Sequence, residues 1–153
     1  MALRPDRNEH LTDLSFFMNE TAERGILVVA STQGSGAAMD DSAAAVKIGA
    51  VAARATDDPV GVLLNDVVNL DLTRQHINYA KDEMQQGGKV LLLRIGTVVT
   101  DQISGAITLG DPAHFVATGQ LCSATANSNS PVIGRWLSKK DADGYAKVAI
   151  NIV

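Results

Sequence analysis

One pattern occurs twice in this chain of 153 residues, and it points to sheet. The first copy runs Pro59-Val60-Gly61-Val62-Leu63-Leu64-Asn65-Asp66, crosses a polar passage, and resumes at Gly87-Gly88-Lys89-Val90-Leu91-Leu92-Leu93-Arg94-Ile95. The second runs Pro131-Val132-Ile133-Gly134-Arg135-Trp136-Leu137-Ser138 and resumes at Asp143-Gly144-Tyr145-Ala146-Lys147-Val148-Ala149-Ile150. Each copy is Pro-Val, a glycine, a short apolar run, a polar turn, then Lys-Val and a second apolar run. Runs of this length, bounded by Gly, Pro, Asn and Asp and rich in β-branched residues, are strand signals. A pattern repeated only twice cannot build a solenoid. It predicts two related β units packed into one barrel-like core.

Composition narrows what such a core is made of. Hydrophobic residues make up 46% of the chain but aromatics only 4%, so Val, Ile, Leu and Ala must fill it. A chain this long buries roughly 70% of its unfolded surface and needs no metal or disulfide to hold it. Cys122 is the single cysteine, so no intrachain disulfide forms. The net charge is −4, with no run of Lys or Arg. Binding to nucleic acid rests on neutralising phosphates, and this balance argues against it. No apolar run approaches the ~20 residues of a membrane helix. The charged start (Arg4, Asp6, Arg7, Glu9) carries no apolar signal region, which points to synthesis in a reducing cytoplasm.

Residues 1–24 differ from the rest and are expected to form an N-terminal arm, with residues 25–153 as the barrel. Leu11, Leu14, Phe17 and Met18 recur at helical spacing, with Thr12 or Asp13 available as a cap. Phe16 and Phe17 are two of the chain's three phenylalanines. The spacing predicts a short helix, packed either on its own domain or on a partner. Ends are usually disordered unless something ties them down. Gly25 ends the helical pattern. Strands are expected at residues 26–30, 46–53, 90–95 and 97–102, with Gly96 as a bulge or tight bend. Loops are expected at residues 31–38 and 124–130, and an ordered polar crossover at residues 71–86.

The common catalytic and metal motifs are absent. Gly-x-Ser-x-Gly occurs nowhere. Gly87-Gly88-Lys89 resembles the end of a phosphate loop, but Glu83 stands where the first glycine belongs and Val90 replaces Ser or Thr. His10, His76 and His114 are far apart and lie in no metal-ligand spacing. Asp101 and Asp111 are the one carboxylate pair to weigh as acid and base at a barrel mouth. Trp136 reads as a core anchor and Cys122 as a small buried apolar residue. No catalytic, cofactor or metal residue is assigned.

Residues 61–75, Gly88-Lys89-Val90, Gly110-Asp111-Pro112-Ala113 and Val132-Ile133-Gly134-Arg135 together resemble the head decoration, or cement, proteins of tailed bacteriophages. The start, Arg4-Pro5-Asp6-Arg7-Asn8-Glu9-His10-Leu11, is similar to the leading arm of such proteins. The resemblance implies a small β-barrel of the β-tulip type on the outer surface of the virion. It implies binding to the major capsid protein of the expanded shell, bridging its subunits against DNA pressure, and no enzymatic activity. It also implies self-association, with a homotrimer favoured and a dimer as the alternative. The expected contacts with capsid or neighbouring protomer are Arg4, Pro5, Arg7, Leu11, Leu14, Phe16, Phe17 and Met18. The competing readings are a β-barrel module for a small ligand or glycan and a small hydrolase. Scarce, dispersed aromatics speak against the first of these, and a hydrolase requires a buried cluster of titratable groups.

Overall fold

The computed structural model describes residues 3–31, 45–48, 58–66, 83–84, 88–123 and 130–153. Among the described residues it is a mostly β protein of eleven strands with no helix. The strands are β1 (Asn8–Met18), β2 (Ala22–Glu23), β3 (Leu27–Ala30), β4 (Ala45–Ile48), β5 (Pro59–Asp66), β6 (Glu83–Met84), β7 (Lys89–Thr100), β8 (Pro112–Phe115), β9 (Leu121–Ser123), β10 (Gly134–Trp136) and β11 (Ala146–Asn151).

β7 is the axis of the molecule. One of its edges carries β1, from Leu3 opposite Thr100 to Phe17 opposite Lys89. The other edge is shared end to end by β5, against residues 90–93, and β11, against residues 95–100. Nine strands thus join in one sheet that closes on itself through the β1–β7 pairing. The β2–β6 pair is a separate two-stranded ribbon.

The pairings resolve into two rings that share β7. In the first, β7 pairs with β5, β5 with β3, β3 with β4, β4 in parallel with β1, and β1 back with β7. In the second, β7 pairs with β11, β11 with β10, β10 with β8, and β8 with β9. β9 returns to the chain just after β7 through a parallel bridge between Leu121 and Ile103. The connectivity is the same in both rings, and β7 ends one and begins the other. The repeated sequence pattern marks equivalent pairs, β5–β7 in the first ring and β10–β11 in the second.

Burial follows from this arrangement. Met18, Val28, Val60, Leu63, Val90 and Leu92 belong to one apolar cluster. Leu27, Val29, Val62, Leu64 and Leu93, their neighbours along the same strands, join a second. That second cluster also holds Phe115, Ile133, Trp136, Val148 and Ile150 of the second ring. β3 and β5 are therefore buried on both faces. Their unbroken apolar runs, without polar alternation, are what such strands require. Trp136 is fully buried and its indole Nε1 donates to the Cys122 carbonyl at 3.2 Å.

The repeated glycines have a steric role. A Cβ on Gly134 would lie 1.8 Å from the Ala149 carbonyl oxygen, and one on Gly61 2.8 Å from that of Leu93. Both positions let neighbouring backbone approach closer than any side chain permits.

One expectation is corrected. Residues 11–18 form part of strand β1, not a helix, and the sheet crosses the boundary drawn between arm and barrel. Leu11, Leu14, Phe17 and Met18 do not share one face. Leu11 and Leu14 are exposed, Phe17 is half-buried and Met18 is fully buried. The edge of β7 offers a row of backbone partners, and these override the weak helical preference of the segment. Three register shifts fit β1 to β7, one of them opposite Gly96 and Ile95. The expected strands at residues 90–95 and 97–102 are a single strand, β7, that ends at Thr100. The strand expected at residues 46–53 is present at residues 45–48, and residues 49–53 lie outside the described set. So do most of the expected loops and crossover at residues 31–38, 71–86 and 124–130. Within the crossover, Glu83–Met84 is strand.

Candidate functional site

The N-terminal residues are held against their own chain in different ways. Leu3 is buried and bridges Thr100, and the Arg4 amide donates to the Val99 carbonyl at 3.0 Å. The Arg4 guanidinium spans the turn before β11. It pairs with Asp141 and Asp143 at 3.1 Å each and lies 4.1 Å from the Tyr145 ring centroid. That turn is shaped by Asp141, whose Oδ1 accepts from the Asp143 and Tyr145 amides at 3.0 and 2.8 Å. Pro5 starts a bend in which its carbonyl accepts the Arg7 amide at 2.9 Å, and Arg7 pairs with Glu9.

Along β1 the expected contact residues part company. Phe16 packs on the first-ring cluster and Met18 lies inside it. Phe17 has the Lys89 ammonium 5.9 Å from its ring centroid. Leu11 and Leu14 remain 44% and 48% exposed, so they are the large apolar side chains of this strand open to a partner. Asp13 sits between them. Its burial pushes the carboxyl up, but hydrogen bonds from the Ser15 hydroxyl and amide and the Arg94 guanidinium 4.0 Å away outweigh that and hold it below its ordinary 3.8.

A second exposed apolar site was missed in the sequence. Leu109 is 66% and Leu137 41% exposed. The Gly110 amide donates to the Trp136 carbonyl, and the Trp136 amide to the Asp111 carbonyl, each at 2.9 Å. These bonds set the 108–111 turn beside the end of β10 and bring the two leucines onto adjoining segments. The available signal was a leucine placed in a polar turn (Thr108-Leu109-Gly110-Asp111) and another just past the buried Trp136.

The groups weighed for chemistry are engaged in structure. His114 is buried, and its Nδ1 lies 2.8 Å from the Ser130 carbonyl, which can only accept, so Nδ1 donates. The Ser130 hydroxyl in turn accepts the Phe115 amide at 3.1 Å. The Asp101 carboxylate accepts from the Gln102 side chain at 3.2 Å. Asp111 lies in the turn that meets Trp136. The Cys122 thiol is buried, and burial pushes its pKa up to about 11. Among the described residues no cluster of His, Cys, Asp or Glu is placed to hold a metal ion.

Two of the surface depressions formed by described residues bear on ligand binding. One, of about 380 Å³, is lined by Thr21, Glu23, Gln102, Thr118 and Gln120 with Ala22 and Ile26, and Gln102 Nε2 donates to Glu23 across it at 3.3 Å. The other, of about 410 Å³, has Phe16, Asp58, Val60, Arg94 and Val153 among its lining residues. Among the described residues that line the first there is no aromatic ring.

The resemblance motifs meet in space. Gly110-Asp111-Pro112-Ala113 leads into β8, Val132-Ile133-Gly134-Arg135 leads into β10, and Ala113 pairs with Gly134. They specify a close strand pairing.

The family described as structural cement protein (E217 gp24/Pam3 gp6) matches residues 11–151, which span both rings. The chain belongs to this family: it is a phage structural protein with a capsid-stabilising role, a virion component and not an enzyme. Arg4, Pro5 and Arg7 lie ahead of the matched segment. No curated protein matches the chain.

Proposed function

We propose that the chain binds the outside of the expanded bacteriophage shell as a homotrimer, bridges subunits of the major capsid protein, and holds the head against the pressure of packaged DNA. The observation that carries this reading is the family match across the whole two-ring barrel. Exposed apolar side chains on an otherwise well-packed protein support it, since contiguous exposed apolar surface marks interaction sites. The N-terminal stretch contributes contact surface to a shell subunit or a neighbouring copy. Within it Leu11 and Leu14 are the exposed apolar groups, with Arg4, Pro5 and Arg7 leading into them and Phe16, Phe17 and Met18 seating the strand.

The mechanism is linkage. A protein that binds the expanded lattice and not its precursor stabilises the expanded state by mass action. Contacts that are individually weak sum through avidity when several copies engage one symmetric lattice. Co-sedimentation of the purified chain with expanded and unexpanded shells tests this. Pelleting with expanded shells only is the expected result. Equal pelleting with both, or with neither, would sink the proposal.

A further inference from the structure

Strand register lays out the outer face of the second ring. Arg135 stands opposite Pro112 on one side and Ala149 on the other, Ala149 opposite Thr97, and Thr97 opposite Asn8. Residues in register across a sheet share a face. This row crosses β8, β10, β11, β7 and β1, and none of its members is buried. A second row lies beside it. The Lys147 carbonyl accepts the Leu137 amide at 2.8 Å, and Lys147 stands opposite Val99. The positions between the rows, Trp136, Val148 and Val98, are in register with one another and fully buried. Alternation along each strand therefore turns both rows outward.

The face they form mixes apolar and cationic side chains. Pro112, Leu137, Ala149 and Val99 are its apolar members. Arg135 and Lys147 stand among them, and Lys139 and Lys140 follow Leu137 closely in the chain. None of these four cations makes an ion pair among the described residues. The carboxylates of the next turn, Asp141 and Asp143, are taken by Arg4. Asp111, in the turn before β8, can offset one cation. The local excess is positive on a chain whose net charge is −4.

We infer that this face docks on an acidic surface of a shell subunit. The inference rests on the reading that the chain binds the expanded shell, and it names the part of the barrel that makes the contact. Charge complementarity sets the partner's sign, because an unpaired cation covered by a neutral or basic surface loses its water without compensation. The apolar members set the partner's class. Leu137 and Val99 gain from a protein surface with its own apolar centre, whereas the far more polar interfaces of nucleic acid are built on phosphate contacts.

The test is co-sedimentation of the full chain with expanded shells, with circular dichroism to show that each variant is folded. The face variant carries Arg135→Gln and Lys147→Gln. A control carries Ala117→Glu and Thr118→Glu, an equal change in net charge at exposed positions outside both rows, in a turn bonded to β3. The face variant is expected to need about tenfold more protein for half-saturation, and the control to bind as the wild type does. Raising the salt concentration should narrow the gap between face variant and wild type. A face variant that binds like the wild type, or a control weakened as much, would overturn the inference while leaving shell binding standing. A wild type that does not pellet would remove the shell-binding reading and this inference with it. In sedimentation-velocity runs without shells the face variant is expected to keep the oligomeric state of the wild type. A changed state would give the face to a second copy of the chain and overturn the inference.

Discussion

The two rings have the same wiring but are closed by different pieces of chain. The first ring is shut by β1, a separate strand from the N-terminus that pairs with β7 along its length and touches β4 in parallel at Phe17 and Met18. The second is shut by the continuation of β7 itself, which reaches β9 through Ile103. In the first ring the closing pair, β1 and β7, is joined by the chain from Met18 to Lys89, whereas in the second the equivalent pair, β7 and β11, is joined by the shorter chain from Thr100 to Ala146. The entropy of bringing ends together grows with the length of chain between them, so the first closure relies more on the contacts β1 makes. Those contacts are the full β1–β7 ladder, fully buried Met18, and the Arg4 clasp on the 141–145 turn.

Removing the closing strand should separate the rings most sharply. Deleting residues 1–24 takes away the ladder, buried Leu3, Met18 and Ala22, and one edge of β7. Burial of each large apolar side chain contributes roughly 1.5–3 kcal/mol, and whole domains are stable by only about 5–15 kcal/mol. Thermal melting of the truncated chain is expected to show no cooperative transition. A single sharp transition near that of the full chain would mean that residues 1–24 are a separable arm.

The next effect compares the paired glycines. Gly134→Ala drives a Cβ into the Ala149 carbonyl with backbone on all sides, and the expected loss is roughly 2–4 kcal/mol. Gly61→Ala meets the Leu93 carbonyl and the Leu92 Cβ at 2.8 and 3.0 Å, a milder overlap expected to cost roughly 1–2 kcal/mol. Denaturant unfolding of both variants measures the difference. Equal losses would show that the two rings absorb backbone crowding alike.

The smallest effect concerns acid. The Asp13 carboxyl is held below 3.8 in the folded chain by Ser15 and Arg94 against the opposing pull of burial. A depressed carboxyl contributes stability that is present above the unfolded value and is lost as pH falls through the folded one. The wild type is therefore expected to lose a small increment of stability below about pH 4, and Asp13→Asn to lack that increment. Melting temperatures of both proteins between pH 6 and pH 2.5 read it out. Parallel curves would remove Asp13 from the account.

The repeated units were legible because their strands are buried on both faces. Val62, Leu63 and Leu64 advertise such a strand by leaving out polar alternation, and the recurring glycines mark where strands crowd. β1 was misread because Leu11, Leu14, Phe17 and Met18 satisfy a helical period. Only the edge of β7, some eighty residues away in sequence, makes a strand the better solution for them. Distance in sequence also hid the site. Nothing near Arg4 announces Asp141, Asp143 and Tyr145, and nothing near Leu109 announces Leu137. The motifs Gly110-Asp111-Pro112-Ala113 and Val132-Ile133-Gly134-Arg135 were seen as landmarks, but their pairing through Ala113 and Gly134 is a property of the fold.

The central claim is that this two-ring protein stabilises an assembled shell. Heating expanded shells with and without saturating protein, and following the temperature at which they rupture by light scattering, tests it most directly. Decorated shells are expected to rupture at a higher temperature, rising with occupancy. An unchanged rupture temperature at full occupancy would contradict it.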